Sequence, residues 1–156
     1  MKNLTLNVLA IALSASACTS GTDRTKIKDS VTTATEVVSS ECYTGVQGGD
    51  SASMKLNTSG NGKVTGELVI KYTKNPANTG TLSGEFKGDT LFADYYFTTG
   101  ESKTKYKNPM AILRKGDRMI LGVGEIESYL GKSYFKKGVP IDFEIAKFKL
   151  DKGDCK

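Results

Sequence analysis

From Cys42 onward, apolar residues recur at every second position. That is the period of half-buried β-strands, not of helices. Val64, Gly66, Leu68, Ile70 and Tyr72 alternate with Thr65, Glu67, Val69 and Lys71. Leu82, Gly84 and Phe86 form a second run, and Leu91, Ala93, Tyr95 and Phe97 a third. Met119, Leu121 and Val123, then Ile141, Phe143 and Ile145, continue the pattern. Turn-forming residues separate the runs at 60–62, 74–80, 88–89 and 116–117. The spacing predicts an all-β domain: an antiparallel meander of about seven to nine strands closing into a small β-barrel, with a compact β-sandwich as the alternative.

Parity fixes the register of several hairpins. With Gly88 and Asp89 as a two-residue loop, Phe86 meets Leu91, Gly84 meets Ala93 and Leu82 meets Tyr95, core on core. Gly116 and Asp117 behave alike, placing Ile112 against Leu121 and Met110 against Val123. Asn61 and Gly62 fail as a two-residue loop, because core Leu56 would face Glu67. A three-residue loop of Gly60, Asn61 and Gly62 restores Leu56 to Gly66, which predicts a bulged turn. Around 76–78 parity leaves a choice, and pairing Glu67 with Lys87 is the better electrostatic match. Phe143 and Ile145 are odd-numbered while Phe148 and Leu150 are even, so a bulge is expected near Ala146 and Lys147. Val64-Thr65-Gly66-Glu67-Leu68 is echoed by Leu82-Ser83-Gly84-Glu85-Phe86. Gly66 and Gly84 fall on the core parity, where a missing side chain permits strong curvature.

The N-terminus follows a different rule. Lys2 precedes an apolar run from Leu4 to Ala17, too short for the roughly 20 residues of a membrane-spanning helix. It reads as a signal-peptide core. The run ends Leu13-Ser14-Ala15-Ser16-Ala17-Cys18. Small residues before a cysteine resemble the bacterial lipobox, with Ala15 standing where that motif usually carries leucine. The resemblance implies cleavage before Cys18 and a diacylglyceryl group on its thiol, an anchor of two or three acyl chains that holds stably where one would not. The alternative is an ordinary secretory signal with an Ala-Ser-Ala site. The expected organisation is therefore a signal peptide over 1–17, a lipidated N-terminus and Ser/Thr-rich tether over 18–41, and one β domain over 42–156.

With Cys18 lipidated, Cys42 and Cys155 remain, and an even pair in an exported protein reads as a disulfide. The chain-entropy model gives about 4–5 kcal/mol for closing a loop of roughly 100 residues. Asp29-Ser30-Val31, Asp50-Ser51-Ala52 and Asp89-Thr90-Leu91 resemble the short Asp-Ser/Thr-apolar site of O-glycosylation in some Gram-negative envelopes; Ser30, in the tether, is the candidate acceptor.

Composition narrows the chemistry. The 156 residues include no histidine, which excludes a Ser-His-Asp triad, a Cys-His pair and His-ligated metal. No Ser-x-x-Lys, EF-hand, P-loop or dinucleotide fingerprint is present. Glu67 and Glu85 point outward by parity, as solvated side chains do. No catalytic residue, metal ligand or cofactor is therefore expected, and binding is favoured over catalysis. The formal charge is +5. Basic and acidic side chains balance over 1–41, so the excess belongs to the domain. Lys103, Lys105 and Lys107 alternate as a strand face would, with Arg114, Lys115 and Arg118 crowding the next turn. They read either as protection of a sheet edge or as a surface for anionic lipid, polysaccharide or an acidic protein. Phe92 and Tyr96 fall on the outer face beside Asp94, as a partner-binding patch or a surface covered by the linker or a terminal segment.

The strand pattern resembles small lipocalin-like β-barrel lipoproteins of bacterial envelopes. That implies an exported protein anchored in a cell-envelope membrane, with the outer membrane the expected site. The expected role is a non-enzymatic binding or accessory module for a protein or polymer partner; a lipocalin-like carrier of a small apolar ligand is the alternative. Nucleic acid is not an expected partner. Replacing Cys18 with Ser should release the protein from the membrane fraction, read by fractionation and immunoblotting.

Overall fold

A computed structural model describes residues 36–155. Cys18, Ser30, the apolar N-terminal run and most of the expected tether lie outside the described residues. Ten strands follow in order: β1 (Val37–Gln47), β2 (Asp50–Ser59), β3 (Lys63–Lys71), β4 (Asn78–Lys87), β5 (Thr90–Thr99), β6 (Tyr106–Lys115), β7 (Arg118–Leu121), β8 (Ile126–Tyr129), β9 (Lys132–Phe135) and β10 (Lys149–Gly153). Eight close into an antiparallel barrel in the order β1-β10-β7-β6-β5-β4-β3-β2, and β8 and β9 pair only with each other. The first strand begins at Val37, ahead of Cys42, so the barrel recruits residues expected in the tether.

The short hairpins adopt the registers that parity requires. Across Gly88 and Asp89, Phe86 faces Leu91, Gly84 faces Ala93 and Leu82 faces Tyr95. Leu56 faces Gly66 across the 60–62 turn, where the Gly62 N–H donates to Ser59 O at 2.8 Å and Gly62 takes a φ of 79°. That is a tight turn followed by a left-handed glycine, the bulged three-residue loop. Ile112 faces Leu121, but Val123 does not reach Met110: β7 ends at Leu121, and Val123 bridges to Asp142 instead.

Two further expectations are corrected. Glu67 faces Thr81 and not Lys87. The two echoed segments pair directly with each other, Val64 opposite Gly84 and Gly66 opposite Leu82. Each glycine receives the branched side chain across from it, and filling the core outweighs the few tenths of a kcal/mol of an exposed charge pair. The change of phase after Phe143 is real, but it is no bulge at Ala146 and Lys147. The chain bends over 143–145, where the Asp142 carboxylate accepts from the backbone N–H of Glu144 and Ile145. Ala146, Phe148 and Leu150 then point inward, and Ile145 is left exposed.

Inside the barrel, Val64, Leu56, Leu68, Leu82, Leu91, Ile112, Met119 and Leu150 are fully buried. Tyr43 and Tyr95 join the same core, and the Tyr95 hydroxyl donates to Leu68 O at 2.9 Å. The lower end of the barrel carries residue 36, the turns at 60–62, 88–89 and 116–117, and Cys155. Its upper end carries the 48–49 turn and the connections 72–77 and 100–105; the 122–148 segment leaves β7 half-way up the wall, opposite Ile112, and returns to the upper end at Lys147 beside Asp50. Cys42 and Cys155 form a disulfide with Cα atoms 5.1 Å apart, beside the pair Cys42–Gly153 where β1 meets β10.

A Cβ at Gly84 would lie 2.1 Å from Phe92 O, and one at Gly66 2.2 Å from Lys55 O, so the neighbouring strand passes where side chains would stand. Gly84→Ala should therefore destabilise the barrel by about 1–3 kcal/mol in urea unfolding. Gly153→Ala, whose Cβ meets nothing within 4 Å, should shift stability by less than about 0.5 kcal/mol.

Candidate functional site

Each end of the barrel is closed by an ion pair laid on an aromatic ring. At the upper end the carboxylate of Asp50, a residue only 8% exposed, accepts from the Thr73 N–H at 2.7 Å, the Thr73 hydroxyl at 3.0 Å and the Lys147 ammonium. Lys147 also stands over the rings of Tyr72 and Phe148. Three segments distant in sequence are thereby tied together. The Lys147 hydrogen bond, followed by that from the Thr73 backbone, lowers the Asp50 pKa to about 2. At the lower end Glu41 accepts from Arg114 at 3.1 Å and from Lys152 at 2.7 Å, with the Arg114 guanidinium 4.4 Å above the Phe86 ring. The Lys152 contact outweighs burial and holds the Glu41 carboxyl below its ordinary pKa. Burial pushes the Tyr95 hydroxyl far above the usual phenol range.

The open surface lies on the outer wall. Lys63, Glu85, Phe92 and Ala111 form one row across β3 to β6, each paired to the next. The chain leaving β7 crosses onto this row, with the Gly122 N–H donating to Ala111 O at 2.8 Å. Ala111 is fully buried although its parity points outward. Gly122 and Gly124 admit the side chains of Ile141, Phe143 and Phe135 against their backbone. From that small outer cluster the β8–β9 hairpin projects over the wall. Between them lies an open groove of about 860 Å³. Its aromatic lining is Phe92, Tyr129, Tyr134 and Phe135, and Lys63, Glu85, Glu127 and Lys137 supply charge of both signs. Aromatic faces with polar groups at the rim suit an extended, amphipathic ligand.

The residues singled out from the sequence are dispersed. Phe92 lies in the groove at 37% exposure, held under Lys87. Tyr96 is also outward, but outside the groove; the Lys107 ammonium stands 5.5 Å from its ring and pairs with Asp94 at 2.8 Å. Lys103 and Lys105 do not share a strand face with Lys107. They sit in the 100–105 connection, exposed, and β6 begins only at Tyr106. Nor is there a barrel edge for lysines to protect, since the barrel is closed. Arg114 turns to Glu41 inside the lower end, Arg118 pairs with Asp151 across the sheet at 2.6 Å, and Lys115 stays exposed. The six basic residues are thus no single patch. Asp50 is engaged at the upper end, so Asp50-Ser51-Ala52 is not displayed as a modification site.

Sequence reasoning missed Glu41, Asp50, Lys147 and the groove wall of Tyr129, Tyr134 and Phe135. Only the inward parity of Glu41 with Tyr43 signals the first. Among the described residues no group of three or more His, Cys, Asp or Glu is arranged to hold a metal ion.

Because the Asp50 pKa is depressed in the folded state, its stabilisation is full above the ordinary carboxylate value near 3.8 and fades as pH falls towards about 2. Asp50→Asn should lower the Tm at neutral pH and flatten its dependence on pH over that acid window, measured by circular dichroism. The chain matches no known protein family, no curated protein and no solved structure.

Proposed function

We propose that this chain is a lipid-anchored cell-envelope protein whose barrel binds a protein or polymer partner on its outer wall, in the groove beneath the β8–β9 hairpin. The observation that carries this reading is the contrast between interior and exterior. The inside is packed with fully buried Leu, Ile, Met and Val side chains and covered at both ends by ion pairs. A carrier of an apolar ligand needs instead an enclosed void of roughly 300 Å³ or more. The open volume with aromatic lining lies outside. The histidine-free composition and the absence of an activated nucleophile motif favour binding over catalysis. The lipobox-like ending at Cys18 and the disulfide support an exported, membrane-anchored location.

The test is site-specific photocrosslinking in intact envelopes. A benzophenone amino acid placed at Tyr134 should give a discrete higher-mass adduct, and the same probe at Val46, exposed near the upper end, should not. Identical patterns at both positions would overturn the groove as the binding site. Lys103→Glu with Lys105→Glu should leave the Tyr134 adduct unchanged, because both lysines lie away from the groove.

A further inference from the structure

We propose that the tip of the β8–β9 hairpin, Tyr129 and Leu130, is a membrane-surface contact that seats the barrel on the bilayer carrying its own anchor. This rests on the lipid-anchor reading of Cys18 and goes beyond it by naming a second point of contact.

The tip is built against local preference. Tyr129 pairs with Lys132 across Leu130 and Gly131, and both turn residues take positive φ, 49° and 72°. A turn of this kind normally carries Asn-Gly. Leu130 is the one non-glycine residue of positive φ among the described residues. It is also 82% exposed, and Tyr129 is 70% exposed. A bulky apolar side chain held in a strained conformation in water serves neither the turn nor the core, so its explanation lies in what it meets. A tyrosine next to an aliphatic side chain with a lysine two positions on is the chemistry of the headgroup–acyl boundary. There an aromatic ring sits at the interface, the apolar group enters and the ammonium stays with phosphates.

The chain's path selects a bilayer as the occupant. Residue 36 enters at the lower end, where the Gly60 N–H donates to Glu36 O at 3.1 Å. Tyr129 lines the same groove as Lys63 and Lys87, which flank the lower-end turns at 60–62 and 88–89. The groove beneath the hairpin therefore reaches the end of the barrel at which the chain enters. From Cys18 to Glu36 the backbone spans at most about 65 Å even fully extended. A lipid on Cys18 therefore keeps the tip at high local concentration near the surface, where a weak interfacial contact suffices.

The protein contains no tryptophan, so one substitution creates a single fluorescent reporter. Full-length protein purified from membranes is reconstituted into vesicles of phosphatidylethanolamine and phosphatidylglycerol, with and without brominated acyl chains. Leu130→Trp should show blue-shifted emission and be quenched by brominated lipid several-fold more than Val46→Trp. Equal, water-like emission at both positions overturns the proposal. A blue shift at position 130 without bromolipid quenching also overturns it, since the tip then meets protein, such as a second copy of this chain. A second series guards against misfolding of the turn. Tyr129→Trp should be quenched, and adding Leu130→Gly, which suits a positive φ but removes the apolar side chain, should abolish most of that quenching. Mass spectrometry of the N-terminal fragment separates the two readings. An unacylated Cys18 overturns the anchor, whereas an acylated Cys18 with no quenching at the tip overturns only the membrane contact.

Discussion

A sheet closed on itself has no unpaired edge, but it has a seam. Here the seam joins β1, the first strand, to β10, the last, through only three residue pairs: Cys42–Gly153, Tyr43–Lys152 and Thr44–Asp151. The neighbouring β10–β7 and β6–β7 pairings are also short, with three and four pairs, whereas those from β1–β2 round to β5–β6 run to eight or ten. Three ladder pairs alone hold weakly, and losing them would expose two edges ready to pair with other chains. The additional bonds gather at this seam. The Cys42–Cys155 disulfide crosses it, Lys152 reaches over it to Glu41, and on the other side of β10 Arg118 pins that strand to β7 through Asp151. Tyr43, Met119 and Leu150 bury the inner side.

The filled interior follows from the same closure. In so narrow a barrel, opposing strands leave no room for large side chains at every inward position. Glycines at 66, 80 and 84 let the neighbouring backbone pass close by, while Leu82, Leu68 and Val64 occupy the space opposite them. What the core cannot cover is the pair of open mouths. Asp50 with Lys147, and Glu41 with Arg114 and Lys152, supply polar lids that rest on aromatic rings and need little desolvation of their outward faces. The stable part of the molecule is thereby turned inward, and variation in surface shape is left to the 122–148 excursion.

Parity made the short hairpins legible, because a one-residue slip would have put Leu56 or Phe86 in water. It failed across 72–77, where a longer connection gives no constraint; there the Glu67–Lys87 pairing rested on an exposed charge pair, worth less than fitting Leu82 against Gly66. The lids were illegible for another reason. Asp50 follows two turn glycines, Glu41 borders a Ser/Thr-rich stretch, and their partners stand far along the chain, so nothing local marks Asp50 as buried and only the parity of Glu41 with Tyr43 hints that Glu41 turns inward. The β8–β9 hairpin escaped notice because Leu130 stands where turn chemistry asks for Asn or Gly. Lys103, Lys105 and Lys107 alternated in sequence, yet the connection before Tyr106 is not extended into the sheet. Alternation of polar residues alone carries no information on burial.

The position of the seam sets the order in which the molecule can be completed. Strands β1 to β7 pair as consecutive hairpins, each available as soon as its second strand exists. Closure must wait for 149–155, because the partner of β1 and the partner of Cys42 both lie within the final segment. A chain emerging N-terminus first therefore remains an open, curling sheet until residues 149–155 have arrived. Loss of residues 149–155 would forfeit the ring itself, and not merely one strand of it.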